Sequence, residues 1–139
     1  METCIRLEMN ISSRSTDPFL ASLTNPTELA RRKGKLSHSY PVIDKTGKRW
    51  ADSEAAYKAF KTGDTPRDER VMVRIIKAKL EQHPQLIEGI KERGGVAFSE
   101  RCAHLVGVRN SRWEGYGRES RFIRCLIAAF EAVLEKTEG

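Results

Sequence analysis

Tyr40-Pro-Val-Ile-Asp-Lys-Thr-Gly-Lys-Arg-Trp-Ala-Asp-Ser-Glu-Ala-Ala-Tyr-Lys-Ala-Phe-Lys61 runs from a hairpin pattern into a helix pattern. Tyr40-Pro-Val-Ile43 and Lys48-Arg-Trp50 flank Asp44-Lys-Thr-Gly47, a turn whose glycine suits a positive backbone angle, so two short antiparallel strands are predicted. In the helix that follows, Asp52 or Ser53 offers a capping oxygen. Glu54 then falls in the first turn, where the positive end of the helix dipole favours a carboxylate. Glu54, Lys58 and Lys61 follow i, i+4, i+7 spacing and form one polar stripe, with Tyr57 alongside; Ala56, Ala59 and Phe60 are expected to turn inward. The same spacing is that of an ordinary Glu–Lys pair on a solvated helix.

Outward from this stretch, Cys4 to Ile11 alternates apolar and polar residues and reads as a half-buried strand, followed by a polar connection to Asp17. Leu20 to Arg32 predicts a short helix, with Asn25-Pro26-Thr27-Glu28 supplying a cap and an early proline. Val71, Met72, Ile75, Ile76 and Leu80 recur at helical spacing and predict a core helix over about residues 68–82. Pro84 opens a further helix that Gly94-Gly95 ends. Leu105-Val-Gly-Val108 is the best candidate for another short strand, and residues 110–117 read as a loop. Phe122, Ile123, Leu126, Ile127, Phe130, Val133 and Leu134 share one face of a last helix, about residues 119–136. The pattern is that of a single α+β domain over residues 1–139, mostly helical, with a small β-hairpin.

At 139 residues the chain is long enough to bury a core without staples. No apolar run is long enough to span a bilayer and the polar start lacks the order of a secretory signal, so a cytoplasmic protein with no membrane partner is expected. Cys4, Cys102 and Cys125 are odd in number and widely spaced, and His38, His83 and His104 are scattered. Neither a disulfide framework nor a metal site is expected, and no cofactor is called for. The formal charge of +6, from 25 basic and 19 acidic residues, suits a phosphate-bearing partner. Basic residues cluster at Arg31-Arg-Lys-Gly-Lys35 and from Arg109 to Arg124, the second run interleaved with Trp113, Tyr116 and Phe122 in a way that suits nucleotides.

The hairpin, the Trp50-x-x-Ser-Glu helix, the run Val71 to Leu86 and the Trp113-Glu-Gly-x-Gly117 loop before a final helix resemble the NADAR (YbiA-like) superfamily over about residues 40–134. Trp50 to Lys61 is similar to the family's W-x-x-S-E-H-x-x-Q-A-x-K, and Asn25 corresponds to the asparagine of its S-N-F element. The resemblance implies a domain that binds a phosphorylated ribosyl or ADP-ribosyl ligand, or a nucleic acid carrying such a modified base, and cleaves an N-glycosidic bond. Breaking that bond builds positive charge on the ribose, which a fixed carboxylate stabilises while cations hold the phosphates. Carried onto this chain, Glu54 and the position of Asn110 are the catalytic candidates. Asn25, Trp50, Lys58, Lys61, Trp113, Arg118 and Arg121 are the substrate-binding candidates. The departures are Ala55 for the family's histidine, Lys58 for its glutamine, Asn110 for its aspartate and Ser120 for its asparagine, with a shortened segment over Thr62 to Arg70. Asparagine has no general-base capacity, so a catalytically impaired binding module and a basic nucleic-acid-binding protein stand as alternatives.

Overall fold

The computed structural model describes residues 9–106 and 113–138. Helices α1 (Pro18–Leu23) and α2 (Thr27–Arg32) lead into the hairpin β1 (Val42–Ile43) and β2 (Arg49–Trp50). Helices α3 (Ser53–Phe60), α4 (Thr65–Gln82), α5 (Pro84–Glu92) and α6 (Val96–Arg101) follow. A second pair, β3 (Ala103–His104) and β4 (Gly115–Tyr116), precedes a 3-10 turn (Gly117–Glu119) and helix α7 (Arg121–Glu138). The architecture is mostly helical α+β with two small antiparallel two-stranded sheets.

Two long helices carry the core. Met72, Ile75, Ile76 and Leu80 of α4 face Phe122, Ile123, Leu126, Ile127 and Phe130 of α7, all buried, and this is the most extensive packing between elements. Both stripes follow the 3.6-residue period that the sequence displays. Asp64 caps α4 by accepting from the Arg67 amide at 3.2 Å. Buried Asp68 accepts from the Thr62 and Gly63 amides at 2.7 and 2.8 Å, tying the short α3–α4 connection to the first turn of α4.

The hairpin pairs Val42 with Trp50 and Ile43 with Arg49. Its turn is organised by Asp44, whose carboxylate accepts from the Thr46 and Lys48 amides at 2.9 and 3.0 Å and from the Trp50 indole at 3.0 Å. The Thr46 hydroxyl and the Trp50 indole beside Asp44 hold its carboxyl down at about 2. Gly47 takes the positive φ of 89° that the sequence anticipated.

The structure refines or corrects several expectations. The short helix expected within residues 20–32 is α2 (Thr27–Arg32), and a separate helix that was not expected, α1 (Pro18–Leu23), ends at Thr24 ahead of it. Phe60 is not turned inward: it is 46% exposed and leans edge-on against the Trp50 ring, and Ala59 is exposed as well. Helix α3 is only two turns long, so its inward arc is Ser53, Ala56 and Tyr57, and Phe60 lies past the rim of the core. The later strand is Ala103–His104, two residues ahead of the predicted one, and it pairs antiparallel with Gly115–Tyr116 from the expected loop. Of the strand expected over residues 4–11 only the end is described. There Ile11 N–H donates to Ala103 C=O at 2.8 Å, and the Asn10 amide exchanges two hydrogen bonds with the Leu105 backbone at 2.7 and 2.9 Å. Arg109 and Asn110 lie outside the described residues. No described helix is long and apolar enough to cross a membrane.

The 3-10 turn is held close to α6: the Gly117 amide donates to Cys102 C=O at 2.8 Å, and a Cβ on Gly117 would lie 2.5 Å from the Glu100 carbonyl oxygen. Gly117 also has φ of 55°. Gly117→Ala is expected to destabilise the protein by about 1–3 kcal/mol, read as a lower urea midpoint at unchanged slope; an unchanged midpoint would refute the close approach.

Candidate functional site

The first turns of α2 and α3 are locked together by one side chain. Asp52, 6% exposed, caps α3 by accepting from the Ala55 amide at 2.9 Å, and its other oxygen accepts from the Glu28 amide of α2 at 3.0 Å. The connection before α2 is drawn to the same place, since Asn25 C=O accepts from the Glu54 amide at 3.2 Å. Beneath it lies Lys79 of α4, 2% exposed, whose ammonium donates to Thr24 C=O at 2.7 Å. Burial pushes Lys79 down to about 7, opposed by the charge of Asp52. Asn25 Nδ2 points to Met72 Sδ at 3.1 Å, so the connection ahead of α2 is seated on α4, against which α3 also packs.

Around this junction are buried oxygens with no hydrogen-bond partner in the protein: Thr24 Oγ1, Asn25 Oδ1, Thr27 Oγ1 and Ser53 Oγ. Among the described residues every buried side-chain polar atom lacking a partner belongs to this cluster. Such atoms cost free energy in a closed protein, and all four are shut off from solvent at the starts of α2 and α3.

Glu54 stands at the edge of the cluster, in the first turn of α3 and partly buried. Burial raises its pKa, Asp52 adds to the rise, and Lys58 and Lys61 oppose it. The Glu54–Lys58 surface pair that the spacing allowed is not formed: no ion pair joins Glu54 to either lysine, although both exert a charge on it. The carboxylate is therefore available for a ligand. A groove of about 390 Å³ lies beside the junction, lined by Glu28, Arg31, Ser39, Pro41, Arg49 and Ala51.

The remaining predicted residues are distributed differently. Trp113 packs its ring edge-on against Tyr57 of α3, centroids 5.7 Å apart, so the tryptophan loop does reach the helix that carries Glu54. The Trp50 indole is engaged within the hairpin by Asp44, with Lys48 Nζ 4.3 Å over its ring. Arg118 pairs with Glu100 at 2.5 Å. Arg121 is 3.6 Å from Glu69 and lines a separate groove between α4 and α7, to which Glu54, Lys58, Lys61 and Trp113 do not contribute. Ser120 is committed to structure: its hydroxyl donates to Trp113 C=O at 2.6 Å and accepts from the Ile123 amide at 3.2 Å, capping α7. Among the described residues no group of three or more His, Cys, Asp or Glu is placed to hold a metal ion.

Sequence reasoning missed Lys79, Thr24 and Thr27. A signal for Lys79 existed, since it falls on the stripe of Met72, Ile75 and Ile76 at helical spacing and so occupies a core position with a charge. No protein-family model matches the chain, and no curated protein or solved structure matches it either.

The buried lysine makes stability depend on pH in a defined direction. Lys79 loses its proton near 7 when folded but only near 10.5 when unfolded, so between these values the unfolded chain binds more protons and stability rises with pH. Above about pH 8.5 the thiols of Cys102 and Cys125, pushed up to about 12 by burial, act in the opposite direction. From pH 7 to about 8.5 the unfolding free energy is expected to rise by roughly 1–2 kcal/mol in wild type and to stay flat in Lys79→Met, measured by urea titration. A rise that persists in the variant would show that Lys79 is not its source.

Proposed function

We propose that this protein is a divergent N-glycosidase that hydrolyses the N-glycosidic bond of a ribosyl-phosphate or ADP-ribosyl compound. One observation carries the reading: an unpaired, partly buried carboxylate, Glu54, stands in the first turn of a helix beside four buried oxygens that have no partner in the protein. Those oxygens are closed to solvent in the free protein, so a sugar reaches them only by parting the starts of α2 and α3, where its hydroxyls supply the donors and acceptors they lack. As the C1'–N bond breaks, its electron pair leaves with the base and positive charge develops on the ribose. Ionised Glu54 stabilises that charge and orients the water that adds to C1'. The proton from that water ends on the departing base. Lys58 and Lys61, both exposed and unpaired, are one helical turn and two turns from Glu54 and suit the ligand's phosphates, with Arg49 and Arg31 in the adjacent groove. Trp113, held against Tyr57, is the candidate for contact with the base.

A second reading, binding without turnover, is favoured by Ser120. Where the resemblance calls for an asparagine facing the ligand, both hydrogen-bonding functions of this hydroxyl are used in capping α7. The loss of such a group weakens catalysis more readily than binding.

Glu54→Gln keeps the shape and removes the charge. Release of free base or free ADP-ribose from a panel of nucleotide and ADP-ribosyl conjugates is expected to fall at least about 100-fold, with calorimetric affinity changed only a few-fold. In wild type, turnover is expected to decline as pH falls through a value above the ordinary carboxylate range, because burial raises the pKa of Glu54 and the ionised form is the active one. Binding without product release across the panel would leave the second reading standing, and neither binding nor release would end both.

The orphaned oxygens give an independent check. Thr27→Val and Ser53→Ala are expected to leave unfolding free energy within about 0.5 kcal/mol of wild type, because no protein hydrogen bond is lost, while weakening ligand binding. Destabilisation well beyond that would assign these hydroxyls to the fold.

A further inference from the structure

We propose that the groove between α4 and α7 is a second anion site, built for a compact polyphosphate held through its phosphates. The groove encloses about 520 Å³ and is lined by Pro66, Glu69, Arg70, Val73, Arg74, Arg121, Arg124 and Cys125. Among the described residues four guanidinium groups and one carboxylate line this small surface, a net charge of +3 from those groups.

The charges come from both walls. Arg70 and Arg74 sit one turn apart on α4, and Arg121 and Arg124 sit one turn apart at the start of α7. Like charges at that spacing repel and weaken a helix, so the arrangement gains when an anion enters. The single acidic group does not neutralise it. Glu69 Oε1 lies 3.6 Å from Arg121 Nε and 3.8 Å from Arg124 Nη2, too far for hydrogen bonds, and Arg70 and Arg74 make no ion pair or hydrogen bond at all. The guanidinium forks of Arg70 and Arg74 are thus free for bidentate contacts with phosphate oxygens. Cys125 adds no charge, because burial holds its thiol at about 12 and its sulfur points to Glu69 C=O at 3.7 Å.

The lining also says what the ligand offers. No aromatic ring lines the groove, so a base has no stacking platform there, and recognition falls to phosphate alone. Cations facing each other across a short space fit adjacent linked phosphates better than a single one, and better than an extended strand, which would need a longer basic track. The site stands apart from the N-glycosidase reading, and binding alone tests it.

The experiment titrates the full chain with inorganic pyrophosphate, orthophosphate and thymidine oligonucleotides of increasing length by calorimetry at about 0.1 M salt. Pyrophosphate is expected to bind at least about tenfold more tightly than orthophosphate. The double variant Arg70→Ala/Arg74→Ala, which alters exposed side chains without partners, is expected to lose at least about tenfold of that affinity. The charge-matched control Arg32→Ala/Arg67→Ala, equally exposed and outside the groove, is expected to stay within about twofold of wild type. Equal losses in the two double variants would overturn the proposal, as would pyrophosphate binding no tighter than orthophosphate or not binding. Oligonucleotides that bind more tightly than pyrophosphate, with affinity climbing with length, would overturn it in favour of a nucleic-acid surface.

Discussion

The Asp52 carboxylate is the constraint on which the front of the molecule depends. One side chain satisfies amides at the starts of two helices, α2 and α3, and so ties their positions together. Everything proposed for the site follows from that junction. It brings Asn25 to the Glu54 backbone and sets Thr27 and Ser53 facing inward, and it places a negative charge where buried Lys79 feels it. A lysine buried beneath a cluster of unsatisfied oxygens is a poor way to stabilise a domain, since apolar residues of the same volume would do better. Natural proteins carry such arrangements where something other than stability is selected.

Local features of the chain were legible in its sequence because their causes are local. The hairpin turn is written in Asp44 and Gly47, the α3 cap in Asp52, and the two long helices in apolar stripes that no other structure would bury. What escaped is tertiary. Phe60 has an inward position by helical count, but the core ends before reaching it. Ser120 reads in the sequence only as a departure from the family's asparagine, and the structure shows its hydroxyl spent on Trp113 and Ile123. Lys79 was hidden by its charge, which led away from the buried face that its spacing indicated. The α4–α7 groove could not be read from a linear pattern, because its two arginine pairs are about fifty residues apart and neither pair is unusual by itself.

The charge of the molecule is distributed in a way that composition conceals. Much of the excess sits on short stretches with specific neighbours: Arg118 is taken up by Glu100 and Arg31 by Glu28, while Lys58, Lys61, Arg70 and Arg74 have no partner. Two of the unpartnered groups lie on or beside the helix that carries Glu54, and two on the helix that supports it. A rigid pair of long helices holding two short, polar-capped ones is a scaffold in which chemistry can diverge while the core stays fixed.

The reciprocal amide contact between Asn10 and Leu105 bears on how the chain is made. The two residues are 95 positions apart, so Asn10 meets its partner only after the whole stretch from α1 to β3 has been synthesised. Helices α1 and α3 emerge with their capping residues, Asp17 and Asp52, directly ahead of them, yet the long helix α4 must wait for α7 before its apolar stripe is covered. The core between α4 and α7 therefore closes late. During translation the exposed face of α4 is the surface that a chaperone would meet.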